Sequence, residues 1–199
     1  MAPALPSTRS RIIAAASRLF YAQGIRAVSV DAVAAQAKVT KRTLYYHFRS
    51  KDELVAAYLE ARDQPNLALF QRWFAEAGGA LPLKVQAIFQ RLAHTVAQPR
   101  WKGCGFLRTA AELANLPGHP AMRIGAAHKK RFEVWLAEQL ASGELPEPGL
   151  LARQVVLLLD GGFAVILLHR DPAYMEAAGE AARALLEAAA VRAGQPGAA

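Results

Sequence analysis

Residues 29–54 read Ser-Val-Asp-Ala-Val-Ala-Ala-Gln-Ala-Lys-Val-Thr-Lys-Arg-Thr-Leu-Tyr-Tyr-His-Phe-Arg-Ser-Lys-Asp-Glu-Leu. Two short helices and a tight connection follow from this string. Ser29 is an N-cap, and Asp31 places a negative charge in the first turn, at the positive end of the helix. Val30, Val33, Ala34 and Ala37 recur at helical spacing and form the buried side. Lys38-Val39 is the turn. Thr40 caps a second helix that runs to about Phe48, and Arg49-Ser50 breaks the chain before another helix begins near Lys51. Val33, Val39, Leu44 and Phe48 hold the pair together, which is the anatomy of a helix-turn-helix.

The second helix of the pair has side chains that suit a major groove. Thr40 stands at a positive helix end, where free N–H groups meet a phosphate oxygen. Lys41 and Arg42 supply charge, and an arginine also forks onto a guanine edge. Thr43 suits a base methyl or a phosphate. Tyr45, Tyr46 and His47 each carry a polar tip, and Lys51 neutralises one more phosphate. Leu44, Phe48 and one of the two tyrosines are expected to pack inside. Ser29 joins the expected DNA-contacting set.

The charge distribution points the same way. The net charge is +8, and Arg9, Arg11, Arg18, Arg26, Lys38, Lys41, Arg42, Arg49 and Lys51, set against Asp31, account for all of it. The remaining acidic and basic residues cancel. A cationic amino-terminal module joined to a neutral body fits a polyanion partner. With 53% hydrophobic residues, the chain has the material for a core, which excludes a disordered protein. One cysteine excludes a disulfide-stapled scaffold. The apolar run from Val155 to Leu168, interrupted by Asp160, Gly161 and Gly162, is too short for a membrane span of roughly 20 residues. No signal peptide is visible, so a cytoplasmic protein without membrane association is expected.

Helical periodicity extends through the chain, so the fold class is all-α. Beyond a first helix over 10–23 ended by Gly24, and a helix from Lys51 carrying Leu54, Val55, Tyr58 and Leu59, the punctuation at Pro65, Gly78-Gly79, Pro99, Pro117-Gly118-His119-Pro120 and Gly143–Pro148 divides the rest. The expected helices are 66–77, 82–97, 104–115, 120–141, 149–169 and 173–193. Residues 1–6 and the final Gln-Pro-Gly-Ala-Ala are expected to be tails.

On these strings the chain resembles the tetracycline-repressor (TetR) family of bacterial transcriptional regulators. The resemblance covers Thr8 to Leu54, with Ile-Ile-Ala-Ala-Ala-Ser-Arg-Leu-Phe (12–20), Gly24, Ser29–Ala34 and the stretch 39–54 carrying it. Two residues depart from the pattern. Lys38 stands where the family usually has glycine, and must accept a less favourable backbone conformation or adjust the turn. Arg42 stands where a small residue is common, and is expected to add a base or phosphate contact and alter operator preference. The resemblance implies Thr40, Lys41, Thr43, Tyr45, Tyr46, His47 and Lys51 as DNA contacts. It also implies a homodimer, a ligand-responsive carboxy-terminal body and, usually, repression. The expected division is a DNA-binding domain over 1–51 and an effector-binding and dimerisation domain over 52–199.

The neutral body adds further expectations. The last two helices read as a dimerisation pair, with Gly161, Gly162, Val165, Leu168, Tyr174, Ala178 and Leu185 at the interface, because one short recognition helix reads too few bases. A small-molecule pocket is expected between the middle helices. Cys104, Arg108 and Glu112 are its candidates on one helix, and His94, Trp135 and Phe163 are candidates for an aromatic wall. For Arg108 the competing reading is an exposed pair with Glu112, and for the aromatic group it is core packing. His119 reads as a cap or loop residue. Cys104 could instead sense redox state, with a buried small hydrophobe as the plainer reading. No phosphate loop, metal-binding cluster or catalytic triad is present in the pattern, so neither cofactor nor metal is expected. A helical enzyme with a basic surface is the remaining alternative.

Overall fold

The computed structural model describes residues 6–194; the expected tails, apart from Pro6, lie outside the described residues. Among the described residues there are nine α-helices and no strand: α1 (Thr8–Gln23), α2 (Val30–Ala37), α3 (Lys41–His47), α4 (Lys51–Glu76), α5 (Leu81–Val96), α6 (Gly105–Glu112), α7 (Pro120–Ser142), α8 (Pro148–His169) and α9 (Ala173–Gly194). Local chemistry explains most of the boundaries. Ser7, Ser29 and Thr40 each accept a hydrogen bond from the backbone N–H three residues on, satisfying donors that a helix start leaves orphaned. Gly24 ends α1 at φ 91°, a conformation that costs glycine little.

Three expectations need correction. Pro65 does not end a helix: α4 runs through it for 26 residues. Proline in a helix interior costs about 3 kcal/mol. Buried Leu59, Leu67 and Phe74 on either side of it offset that cost. The helix expected over 104–115 ends at Glu112, where Leu113 leaves helical geometry. Finally, the apolar segment expected to be too short belongs to a 22-residue helix, α8, that by length and composition is able to cross a bilayer. In this structure Leu151, Ala152, Val155, Leu159, Phe163 and Ile166 of α8 are buried.

Packing gathers the chain into two compact units, one comprising residues up to Pro65 with Cys104–Ala127, the other Asn66–Gly103 with residues from His128 onward. The first holds α1, α2 and α3, the opening turns of α4, α6 and the start of α7. Ile12, Ala16, Phe20, Val33, Leu44, Phe48, Leu54, Tyr58 and Phe106 form its core. Phe20 meets Tyr58 edge to face with centroids 5.7 Å apart. In the second unit, α9 packs on α5 and on α8. Met175, Ala182, Leu186 and Ala189 bury one stripe of α9 completely.

Two glycines let these helices approach. A Cβ at Gly162 would stand 3.2 Å from the Met175 side chain, and one at Gly179 would stand 2.6 Å from Cβ of Phe89. The second distance has no flexible neighbour to absorb it. Gly179→Ala is therefore expected to lower stability by about 1–2 kcal/mol, because overpacking outweighs the gain in helix propensity. A urea-unfolding midpoint no lower than that of the parent chain would contradict this packing.

Candidate nucleic-acid interface

Two intramolecular devices set the turn between α2 and α3. Lys38 occupies the left-handed region at φ 55°, ψ 49°. Its N–H donates to the Ala35 carbonyl at 3.0 Å and that of Val39 to the Ala34 carbonyl at 3.0 Å, so the end of α2 is satisfied by a turn that usually takes glycine. From α1, Arg11 Nη2 donates to the carbonyls of Ala37 (2.9 Å) and Lys38 (3.1 Å). In the sequence Arg11 reads only as charge. A contact across 26 positions has no local signature.

The turn presents α3 with Leu44 and Phe48 fully buried and the opposite side open. Thr40 Oγ1 accepts from the Thr43 N–H at 3.0 Å and lies 2.8 Å from Thr43 Oγ1. The helix start is thus already capped at Thr43, and Thr40 does not leave that N–H free as expected. Lys41 Nζ donates to Asp31 Oδ2 at 3.0 Å. This partner holds the lysine pKa above its usual value, by hydrogen bonding first and charge second. Arg42 is exposed and engages no partner among the described residues. Both tyrosines face outward, Tyr45 at 44% exposure and Tyr46 at 85%, so neither packs inside. Tyr46 and His47 meet edge to face at 5.2 Å. Ser29 is spent on capping α2, through the N–H of Ala32.

Lys51 opens α4 behind a cap in which Ser50 Oγ accepts from Glu53 N–H and Glu53 Oε2 accepts from Arg49 N–H. Partial burial pushes the Lys51 pKa down, while Glu112 and Asp52 oppose the shift. Glu112 also accepts from the backbone N–H groups of Ile25 (2.7 Å) and Arg26 (3.1 Å). Arg108 Nη1 donates to the Tyr21 carbonyl at 2.8 Å, and Arg26 Nη2 donates to Asn115 Oδ1 at 2.6 Å. The competing reading of an Arg108–Glu112 surface pair is therefore not met. Arg108 grips the last turn of α1 and Glu112 the backbone just after Gly24, across 86 or 87 positions.

The other candidates fall in different surroundings. Cys104 is the half-buried N-cap residue of α6. His94 lines a groove of about 440 Å³ with Trp73, Leu83, Gln86, Gln90 and Arg91. Trp135 meets Phe74 and Phe132 at 5.4 and 5.7 Å, and Phe163 stacks on Trp101 at 6.3 Å. His119 is the expected cap: Nδ1 accepts from Ala121 N–H at 3.1 Å, and Nε2 lies 3.3 Å from Asp52 Oδ1. Of the residues expected at a dimer interface, Gly162 is buried against Met175 and Ala178 of its own chain. That close approach is already used within the protomer. Gly161 and Leu168 are exposed, Val165 and Leu185 are half-buried, and Tyr174 stacks on His169 at 5.1 Å.

Relieving the left-handed lysine tests the turn. Lys38→Gly is expected to raise stability by roughly 0.5–1 kcal/mol, the difference between the strain removed and the added freedom of the unfolded chain. A lowered denaturation midpoint would show that the Lys38 side chain stabilises the turn by more than its backbone strain costs.

The model of bacterial regulatory proteins of the tetR family matches residues 12–58. A TetR-family transcriptional regulator from Streptomyces coelicolor is 33% identical, with a TM-score of 0.80 over 92% of this chain and 95% of its own. A putative regulator of the same kind from Streptomyces avermitilis is 30% identical, with a TM-score of 0.79 over 93% and 99%. The HTH-type transcriptional regulator YjdC of Escherichia coli is 24% identical over 186 residues, 94% of this chain and 97% of YjdC. With the Streptomyces coelicolor regulator 33% identical and matched almost end to end, and with the helix-turn-helix geometry described above, this chain belongs to the TetR family of transcriptional regulators, DNA-binding proteins and not enzymes.

Proposed function

We propose that the protein is a cytoplasmic homodimeric repressor that leaves a palindromic operator when a small-molecule effector binds. The observation that carries the DNA-reading half is the open face of α3, with Arg42 unpartnered and Tyr46 at 85% exposure. Arg42, Tyr45, Tyr46 and His47 contact the groove and its backbone, with Thr40 and Thr43 at the helix start. Lys51 and Lys41 neutralise phosphates, and Lys41 exchanges Asp31 for the phosphate. Ser29 borders the same surface. Residues 1–51 supply this reading, and residues 52–199 supply the effector response and the dimer.

The dimer reading rests on an apolar stripe that the protomer leaves uncovered. On α8, Leu150, Leu157 and Leu168 are 47%, 67% and 79% exposed, and Gly161 lies between them at helical spacing with open space around it. On α9, Tyr174 and Val191 are 41% and 62% exposed. A two-fold axis through this pair buries the stripe, and a palindromic operator offers the two α3 helices of such a dimer successive major grooves, roughly 34–36 Å apart. Effector and operator then oppose each other by the same factor in both directions.

Gel shifts on the chain's own upstream DNA test the reading. Affinity is expected to fall steeply with salt. Lys51→Ala lowers the salt slope by about one, and Tyr46→Ala weakens binding about tenfold through loss of one hydrogen bond. Failure of the parent chain to select any duplex over random competitor would end the proposal. The double variant Leu157→Glu, Leu168→Glu is expected to sediment as a folded monomer that no longer retains the operator. Dimers that persist in this variant would place the two-fold contact elsewhere.

A further inference from the structure

Arg62 on α4 and Arg108 on α6 hold half-buried guanidinium groups against one tyrosine ring. Their Cζ atoms lie 5.1 and 5.7 Å from the Tyr21 centroid, and Arg62 lies 5.8 Å from the Tyr58 centroid as well. Neither arginine has a carboxylate partner among the described residues. Glu112, one helical turn from Arg108, is occupied by the backbone of Ile25 and Arg26. Arg62 Nε is buried without a hydrogen-bond partner. It converges with the Tyr58 hydroxyl on Gly105, the first residue of α6. A Cβ there would stand 3.2 Å from Nε and 3.0 Å from the hydroxyl. Cys104 provides no side-chain cap, so the positive end of α6 is directed at the same place.

Two neighbouring half-buried cations, neither bonded to a carboxylate, gain when an anion joins them. We propose that this cluster binds a small organic carboxylate. Arg62 and Arg108 hold its oxygens, and the Tyr58 hydroxyl donates a further hydrogen bond. Burial raises the Tyr58 pKa, which keeps that hydroxyl protonated. The Tyr21 and Tyr58 rings lie against the guanidinium groups and Phe20 backs Tyr58, which favours an apolar carboxylate over strongly hydrated phosphate. The inference rests on the effector-responsive reading above and names the chemical class of the effector.

Calorimetric titration of the full chain at constant ionic strength, with benzoate, benzamide and inorganic phosphate as probes, tests it. Benzoate is expected to bind at least tenfold more tightly than either of the others. Arg62→Gln and Gly105→Ala, checked for folding by circular dichroism, are each expected to weaken benzoate at least tenfold. Arg62→Gln is also expected to melt no lower than the parent chain without ligand, because it removes an uncompensated charge. Equal binding of benzamide or phosphate, parent-like affinity in both folded variants, or no benzoate binding to the parent chain would each overturn the site. Benzoate binding that leaves operator affinity unchanged keeps the site and removes its regulatory role. Loss of operator selectivity in the parent chain removes the repressor reading and leaves the site standing.

Discussion

The aim of α3 depends on a backbone conformation that its residue adopts reluctantly. A left-handed lysine costs about 1–2 kcal/mol relative to ordinary helical geometry, and the structure holds it there by surrounding hydrogen bonds. The turn satisfies its own carbonyls through Lys38 and Val39, while Arg11 adds two charge-assisted bonds from another helix. Without that clamp, α2 and α3 are two short helices of 8 and 7 residues, lengths at which isolated helices are marginal in water. Burial of Leu44 and Phe48 then fixes which side of α3 faces outward.

A second joint ties the head to α6. Glu112 accepts two backbone N–H groups just after Gly24, Arg108 donates to the last turn of α1, and Asn115 accepts from Arg26. These bonds satisfy a loop whose polar groups would otherwise rely on water, and they bring α6 into the compact unit of the DNA-reading helices. Any displacement of α6 acts on α1 through charged hydrogen bonds, and α1 holds the turn through Arg11. Arg108 and Glu112 of α6 therefore position the head.

The cations of the head are not equivalent. Asp31 serves both the start of α2 and the Lys41 ammonium. It lowers the effective charge of α3 where a phosphate would approach. Arg42, one residue on, is uncompensated. Exposed pairs such as Asp31–Lys41 contribute little to stability. Under the proposed reading, their effect falls on how readily each cation exchanges its partner for a phosphate.

Local chemistry made much of this protein readable from the chain alone. Ser29 and Thr40 announce helix starts, Gly24 a stop, and the periodic apolar residues the inward faces, because each effect acts within a turn or two of the residue that causes it. The same locality made the helix-turn-helix legible, and most of its outward residues; one of Tyr45 and Tyr46 is expected inside, and both face outward. Pro65 misled because its cost, though local, is outweighed by apolar burial along the helix on both sides. Tertiary structure alone decided what Arg11, Arg62, Arg108, Glu112 and Gly162 do. Each is defined by a partner far along the chain, or in the case of Gly162 by a neighbouring helix packed against it. A long, flexible charged side chain reaches many partners, and only the packed helices determine which carbonyl, N–H group or ring lies within its reach.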